Sequence, residues 1–104
     1  MKALITIQTS HLTNIVWGNI RKFSDEINHK KLSESVFNSL STLKVQIIID
    51  DVVIKDYNEF IITFALYKNY EFDINVEFIK KQKDALRDFS TIIPYHCCPE
   101  KFLP

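Results

Sequence analysis

Residues 2–9 alternate Ala3, Ile5 and Ile7 with Leu4, Thr6 and Gln8. A period of two rich in β-branched residues predicts a partly buried strand. Leu12, Val16, Ile20, Phe23 and Ile27 then recur at spacings of three and four with Ile15 beside them, the stripe of an amphipathic helix. Gly18 inside that stripe weakens the helical reading. A second reading takes Ile15, Trp17 and Phe23 at period two and starts the first helix at Ser24, as an N-cap followed by the acidic Asp25 and Glu26. Both readings make the chain helical from Asp25 and place a break near Asn28 and His29. Leu32, Val36, Leu40 and Leu43 resume the helical spacing with Phe37 alongside, although Ser33, Ser35, Asn38, Ser39 and Ser41 are mediocre helix formers that need tertiary packing.

From Val45 the period changes. Residues 45–49 and 52–54 read as strand, and a bulge at Asp50 and Asp51 lets both carboxylates face solvent while Val45, Ile47, Ile49, Val52 and Ile54 point inward. Lys55 to Asn58 suit a turn. Residues 59–67 and 70–79 both alternate, and a three-residue loop between them pairs Leu66 with Phe72, Phe64 with Ile74, Ile62 with Val76 and Phe60 with Phe78 on one face. After Lys80 a helical pattern returns, with Ala85, Leu86 and Phe89 opposite Lys83, Asp84, Arg87 and Asp88, until Pro94 ends it. Residues 94–104 carry all three prolines and read as an extended tail docked through Tyr95, Phe102 and Leu103. The expected architecture is one α+β domain over residues 1–104. Its sheet is mainly antiparallel, an N-terminal strand plus a three-stranded meander over residues 45–80, with helices packed on one face. As an edge strand, Lys2 to Thr9 would be open to pairing with another chain.

With 104 residues, 46% hydrophobic and 25% charged, the chain has the composition of a folded domain. Its one glycine rules out the glycine-rich loops that cradle phosphates. No apolar run reaches the length of a membrane span and the N-terminus has no signal-peptide pattern, so a cytoplasmic protein is expected, with no membrane partner. Thirteen basic residues balance thirteen acidic ones, so no global field steers the protein toward nucleic acid. The balance conceals local excess: between residues 50 and 77, Asp50, Asp51, Asp56, Glu59, Glu71, Asp73 and Glu77 face only Lys55 and Lys68.

Conventional catalytic chemistry finds little footing. His96-Cys97-Cys98 offers adjacent thiols that chelate poorly, and the remaining histidines, His11 and His29, stand far off in sequence. Reduced structural thiols are the expectation, with an enzyme using Cys97 or Cys98 as a third-ranked reading. Glu71, Asp73 and Glu77 fall on one face of a strand, an arrangement that suits paired carboxylates but equally a solvated face. No catalytic residue, metal or cofactor is assigned, and no enzymatic activity is expected. The basic pairs Arg21-Lys22, Lys30-Lys31 and Lys80-Lys81 support an alternative, a small regulatory or nucleic-acid-associated factor; nucleic acid ranks below protein as the partner because the pairs are scattered in a neutral chain.

The strongest candidate is a surface. If the outer face of the predicted meander is uncovered, Asp50, Asp51, Glu59, Tyr67, Glu71, Asp73 and Glu77 form a partner-binding face, with carboxylates to steer a basic protein and an aromatic to anchor it. A short, single-domain α+β chain rich in isoleucine, lysine and asparagine, with an acidic sheet surface and no catalytic signature, resembles in general character the small bacterial immunity proteins of contact-dependent growth-inhibition toxin systems. The resemblance implies a cognate protein toxin, with a nuclease as one candidate, whose basic active-site region the exposed acids and aromatics engage. The near-neutral pI of 6.8 departs from the more acidic inhibitors of nucleases.

Overall fold

The computed structural model describes residues 1–81 and 88–95. Eight elements follow in order: β1 (Lys2–Thr9), α1 (Asn14–Asn28), α2 (Glu34–Thr42), β2 (Gln46–Ile49), β3 (Val52–Ile54), α3 (Tyr57–Leu66), β4 (Glu71–Lys81) and β5 (Asp88–Tyr95).

Of the two readings of residues 12–27, the continuous helix is the one that forms. Thr13 is extended at φ −113° and its Oγ1 accepts the backbone N–H of Val16 at 3.2 Å, so an N-cap exists upstream of Gly18. Val16, Trp17, Ile20, Phe23 and Ile27 are then buried along one side, and Ser24, the alternative cap, lies inside the helix. The break after Asn28 falls where expected. Ser33 caps α2, and its own N–H is accepted by Glu26 at 2.8 Å, which ties the second helix to the first.

The segment expected as the first strand of the long hairpin is instead α3. Asp56 Oδ1 accepts the N–H of Glu59 at 2.7 Å, and the Glu59 carboxylate reaches back to the N–H of Lys55 at 3.2 Å. The first bond satisfies a helix N-terminal donor that a strand would not present, and the second ties the first turn to the residue before the cap. The meander therefore loses its middle strand, and the pairing of Phe60 to Leu66 with Phe72 to Phe78 does not exist. β4 instead runs parallel to β1, from Lys2 opposite Glu71 to Thr9 opposite Phe78.

The bulge is also corrected. β2 and β3 pair antiparallel through Ile49 opposite Val52, joined by Asp50 and Asp51 alone, with φ of 49° and 66°. Two consecutive left-handed residues make a type I′ hairpin turn, whose twist matches the flanking strands. Both carboxylates face solvent, as expected.

The sheet order is β3-β2-β1-β4-β5. β1 thus lies at the centre and offers no free edge, contrary to the edge position expected. The helical reading after Lys80 is corrected at both ends: Lys80 and Lys81 extend β4, while Asp88 to Tyr95 form β5, antiparallel to it. Pro94 is accommodated because β5 is an edge strand. Residues 82–87 and 96–104, including His96, Cys97, Cys98, Phe102 and Leu103, lie outside the described residues.

The class and layering agree with expectation: α+β, a mainly antiparallel mixed sheet with helices on one face. Ala3, Ile5, Ile7, Ile47, Ile49, Ile54, Ile74 and Val76 supply the buried sheet side. Phe60 sits at the centre of the helical side, its ring 5.5 Å from Phe23, 5.2 Å from Phe37 and 6.0 Å from Phe64, which stacks on Phe72 at 4.9 Å. No helix among the described residues is long and apolar enough to cross a membrane.

Candidate functional site

Because strand side chains alternate, the residues between the core positions define a second face. On β1 these are Lys2, Leu4, Thr6 and Gln8, opposite Glu71, Asp73, Asn75 and Glu77 of β4. Ile48 and Val53 extend the face on one side and Ile92 on the other. Leu4 is 47% exposed and Ile92 61%, so among the described residues no helix seals this face as α1, α2 and α3 seal the other.

The row of acids on β4 is as expected: Glu71, Asp73 and Glu77 share the outer face. From Glu71 to Glu77 the row spans about 20 Å at a strand's rise of roughly 3.3 Å per residue. Two members have neighbours of their own. Asp73 Oδ2 lies 3.7 Å from Lys2 Nζ, and Glu77 Oε1 accepts from Gln8 Nε2 at 3.5 Å.

Where β1 begins, the tight β2–β3 turn and the end of α3 bring further site residues together. Tyr67, the C-terminal cap of α3, donates its hydroxyl hydrogen to Asp50 Oδ2 at 2.7 Å. That bond, with the nearby negative charge, holds the phenol above its ordinary pKa. The ring of Tyr70 meets that of Tyr67 edge-on with centroids 5.3 Å apart. Asp50, Asp51, Tyr67 and Tyr70, together with Leu4 and Ile48 of the outer face, line an open cavity of about 510 Å³. The hydrogen bond holds one carboxylate and one aromatic ring, while the exposed Asp51 carboxylate projects from the two-residue turn.

Glu59 does not join this group. It serves the first turn of α3, at the helix end opposite Tyr67. Six of the seven expected contact residues therefore lie on the outer face or its Asp50–Asp51 corner. Tyr70 was not anticipated, and no spacing rule marks it: it enters through the turn that follows α3. The Asp50-Asp51 turn does carry a signal, since two β-branched runs separated by two residues are the mark of a tight hairpin.

The alternative basic surface is partly engaged. Lys30 Nζ lies 4.7 Å from the centroid of the Phe72 ring and 5.5 Å from that of Phe64, and donates to the Tyr70 carbonyl at 3.1 Å. It clamps α1 to the start of β4. His29 Nδ1 lies 2.8 Å from the carbonyl of Asp25, and His11 sits at the β1–α1 junction, where its N–H is accepted by Thr9 Oγ1 at 3.0 Å. Among the described residues no three His, Cys, Asp or Glu side chains converge as metal ligands would.

Comparison with protein-family models, curated proteins and solved structures finds no match.

Proposed function

We propose that this protein is a non-enzymatic binding protein that neutralises a specific protein partner, acting as an immunity protein that covers the basic active-site region of a cognate toxin in the cytoplasm. The observation that carries this reading is the one-sided sheet. Among the described residues its outer face has no helical layer, and it ends at a corner where Asp50 and Asp51 stand beside Tyr67, with Glu71 and Asp73 across β1 on β4. An exposed sheet face bordered by carboxylates and by an aromatic hydrogen-bonded to one of them has the parts of a protein-binding surface: apolar area at Leu4, Val53 and Ile92, an anchor at Tyr67, and charge for steering. The mechanism is electrostatic guidance of a basic surface followed by steric occlusion, with no bond made or broken by this chain. Glu59 is left out of the contact set; Glu77 stays in it at the far end of the row.

The test begins with affinity capture from lysate of the native cells, followed by purification of the retained protein and assay of its activity. A basic protein bound at equal stoichiometry and inactivated by this chain is the expected result. Asp51→Lys with Glu71→Lys should slow association about tenfold at low salt while leaving the melting temperature near that of the wild type. Unchanged association, a captured protein that keeps its activity, or retention of nucleic acid in its place would overturn the reading.

A further inference from the structure

We propose that the cavity at the Asp50–Asp51 corner receives an arginine side chain carried by the protein partner, its guanidinium group held by the carboxylates of Asp50 and Asp51 and the rings of Tyr67 and Tyr70. The inference rests on the proposed toxin contact and deepens it, by naming the chemistry that this corner recognises.

The first observation is room. Asp50, Asp51, Tyr67 and Tyr70, with Leu4 and Ile48, line an open cavity of about 510 Å³, a size at which recesses hold a side chain or a small ligand. Two exposed acids on a turn are ordinarily no more than a solvated surface. Here they border a recess that two aromatic rings and two aliphatic side chains also line, and an arginine matches each part. Its methylene stem covers apolar side chains while its charged head keeps polar company. The planar guanidinium stacks on an aromatic face and forks onto a carboxylate, a combination that the compact ammonium of lysine cannot copy.

The second observation is which charges remain for a ligand. Asp50 Oδ2 accepts the Tyr67 hydroxyl at 2.7 Å, which joins that carboxylate to the ring and leaves Oδ1 for a second donor. Among the described residues no hydrogen bond or ion pair engages the Asp51 carboxylate. The cations nearby are occupied or set apart. Lys2 also lines the cavity, but its Nζ lies 3.7 Å from Asp73 Oδ2. Lys30 donates to the Tyr70 carbonyl and rests over the Phe72 ring, while Lys68 is exposed and does not line the cavity. Met1 is 91% exposed at the mouth, where its amino group meets water. Two carboxylates are thus left facing the recess, and a cation is the ligand that offsets them.

Titration of the isotopically labelled full chain with acetyl-glycyl-arginyl-glycine amide, followed through the backbone amide signals, tests the cavity without the toxin. Shifts are expected at Leu4, Ile48, Asp51, Tyr67 and Tyr70, with a dissociation constant on the order of 1 mM, the strength of a single side chain. The citrulline peptide, of the same shape without the charge, should bind at least about tenfold more weakly, and the lysine peptide about threefold. Asp51→Asn keeps a residue tolerant of the left-handed turn and should weaken the arginine peptide about fivefold. Glu34→Gln, at an exposed acid in the first turn of α2, should leave binding unchanged, and Lys2→Ala should not weaken it. Thermal melts confirm that each variant folds. Equal binding of the citrulline or lysine peptide, shifts spread over the whole surface, or indifference to Asp51→Asn overturns the proposal. So does free L-arginine binding more tightly than the peptide, which would mark a site for a small molecule. The titration reads the cavity alone and the capture from lysate reads the partner alone, so either can fail while the other stands.

Discussion

Replacing Asp51 probes whether the acidic turn is kept for its fold or for its charge. Asp51 holds φ at 66°, directly after Asp50 at 49°. A side chain in the left-handed region costs roughly 1 to 2 kcal/mol, toward the lower figure for aspartate. Glycine removes that strain but loses about 0.5 to 1 kcal/mol through its greater freedom in the unfolded chain. Relief of repulsion between two neighbouring exposed carboxylates adds a few tenths of a kcal/mol, roughly. Asp51→Gly is therefore expected to stabilise the protein by about 0.3 to 0.8 kcal/mol, which for a domain of this size raises the melting temperature by about 1 to 6 °C. Asp51→Ala removes the charge but keeps the strain and forfeits the local tolerance of aspartate for this region, so it should melt at or below the wild type. Asp51→Asn should fall between glycine and alanine. Urea unfolding and thermal melts measure the series, with an unchanged m value as the sign that only stability moved. An alanine variant as stable as the glycine variant would refute the conformational argument and leave charge as the whole effect; a glycine variant less stable than wild type would refute both terms.

Two further outcomes are expected. A phenol ionising above the ordinary tyrosine range should appear in the alkaline absorbance titration, vanish in Tyr67→Phe and move down in Asp50→Asn, because ionisation sets a phenolate against the Asp50 carboxylate. Since the folded pKa is raised, the bond's stabilisation is complete below the ordinary tyrosine value of about 10 and is lost as pH rises through the folded value; wild-type stability should thus fall more steeply than that of Tyr67→Phe at alkaline pH, and parallel curves would contradict the assignment. In α1, a Cβ built on Gly18 meets nothing within 4 Å, so Gly18→Ala should stabilise by about 1 kcal/mol in urea unfolding, and a loss of stability would show that the site has less room than its surroundings indicate.

The legible parts of the fold were those in which periodicity and local capping agree. β1 alternates cleanly, α1 carries its stripe, and β4 keeps strict period two with its acids on one face. Partners were not legible, because alternation fixes a strand's faces and says nothing about its neighbours. Residues 70–79 read correctly as a strand but with the wrong neighbour, since parallel pairing with β1 joins residues 69 apart in sequence and leaves no local signal. The candidate site divides the same way. Glu71, Asp73 and Glu77 followed from the strand's own pattern, whereas the meeting of Asp50 with Tyr67 depends on α3 crossing from β3 toward the start of β4, a matter of topology.

Residues 59–67 failed for a more informative reason. A helix on the surface of a small domain is recognised by its polar side, and α3 has scarcely any: Phe60 and Phe64 turn inward while Ile62 and Leu66 face out. With apolar residues on both sides, the 3.6-residue period is erased, and Phe60, Ile62, Phe64 and Leu66 read as a strand's inner face. The one discordant sign was local, the Asp56…Glu59 spacing of a capping box ahead of the apolar run. A helix that is apolar on its outward side as well as its inward one carries a uniform hydrophobicity rather than the two-faced pattern of a helix that meets water, and only its cap then distinguishes it from a strand.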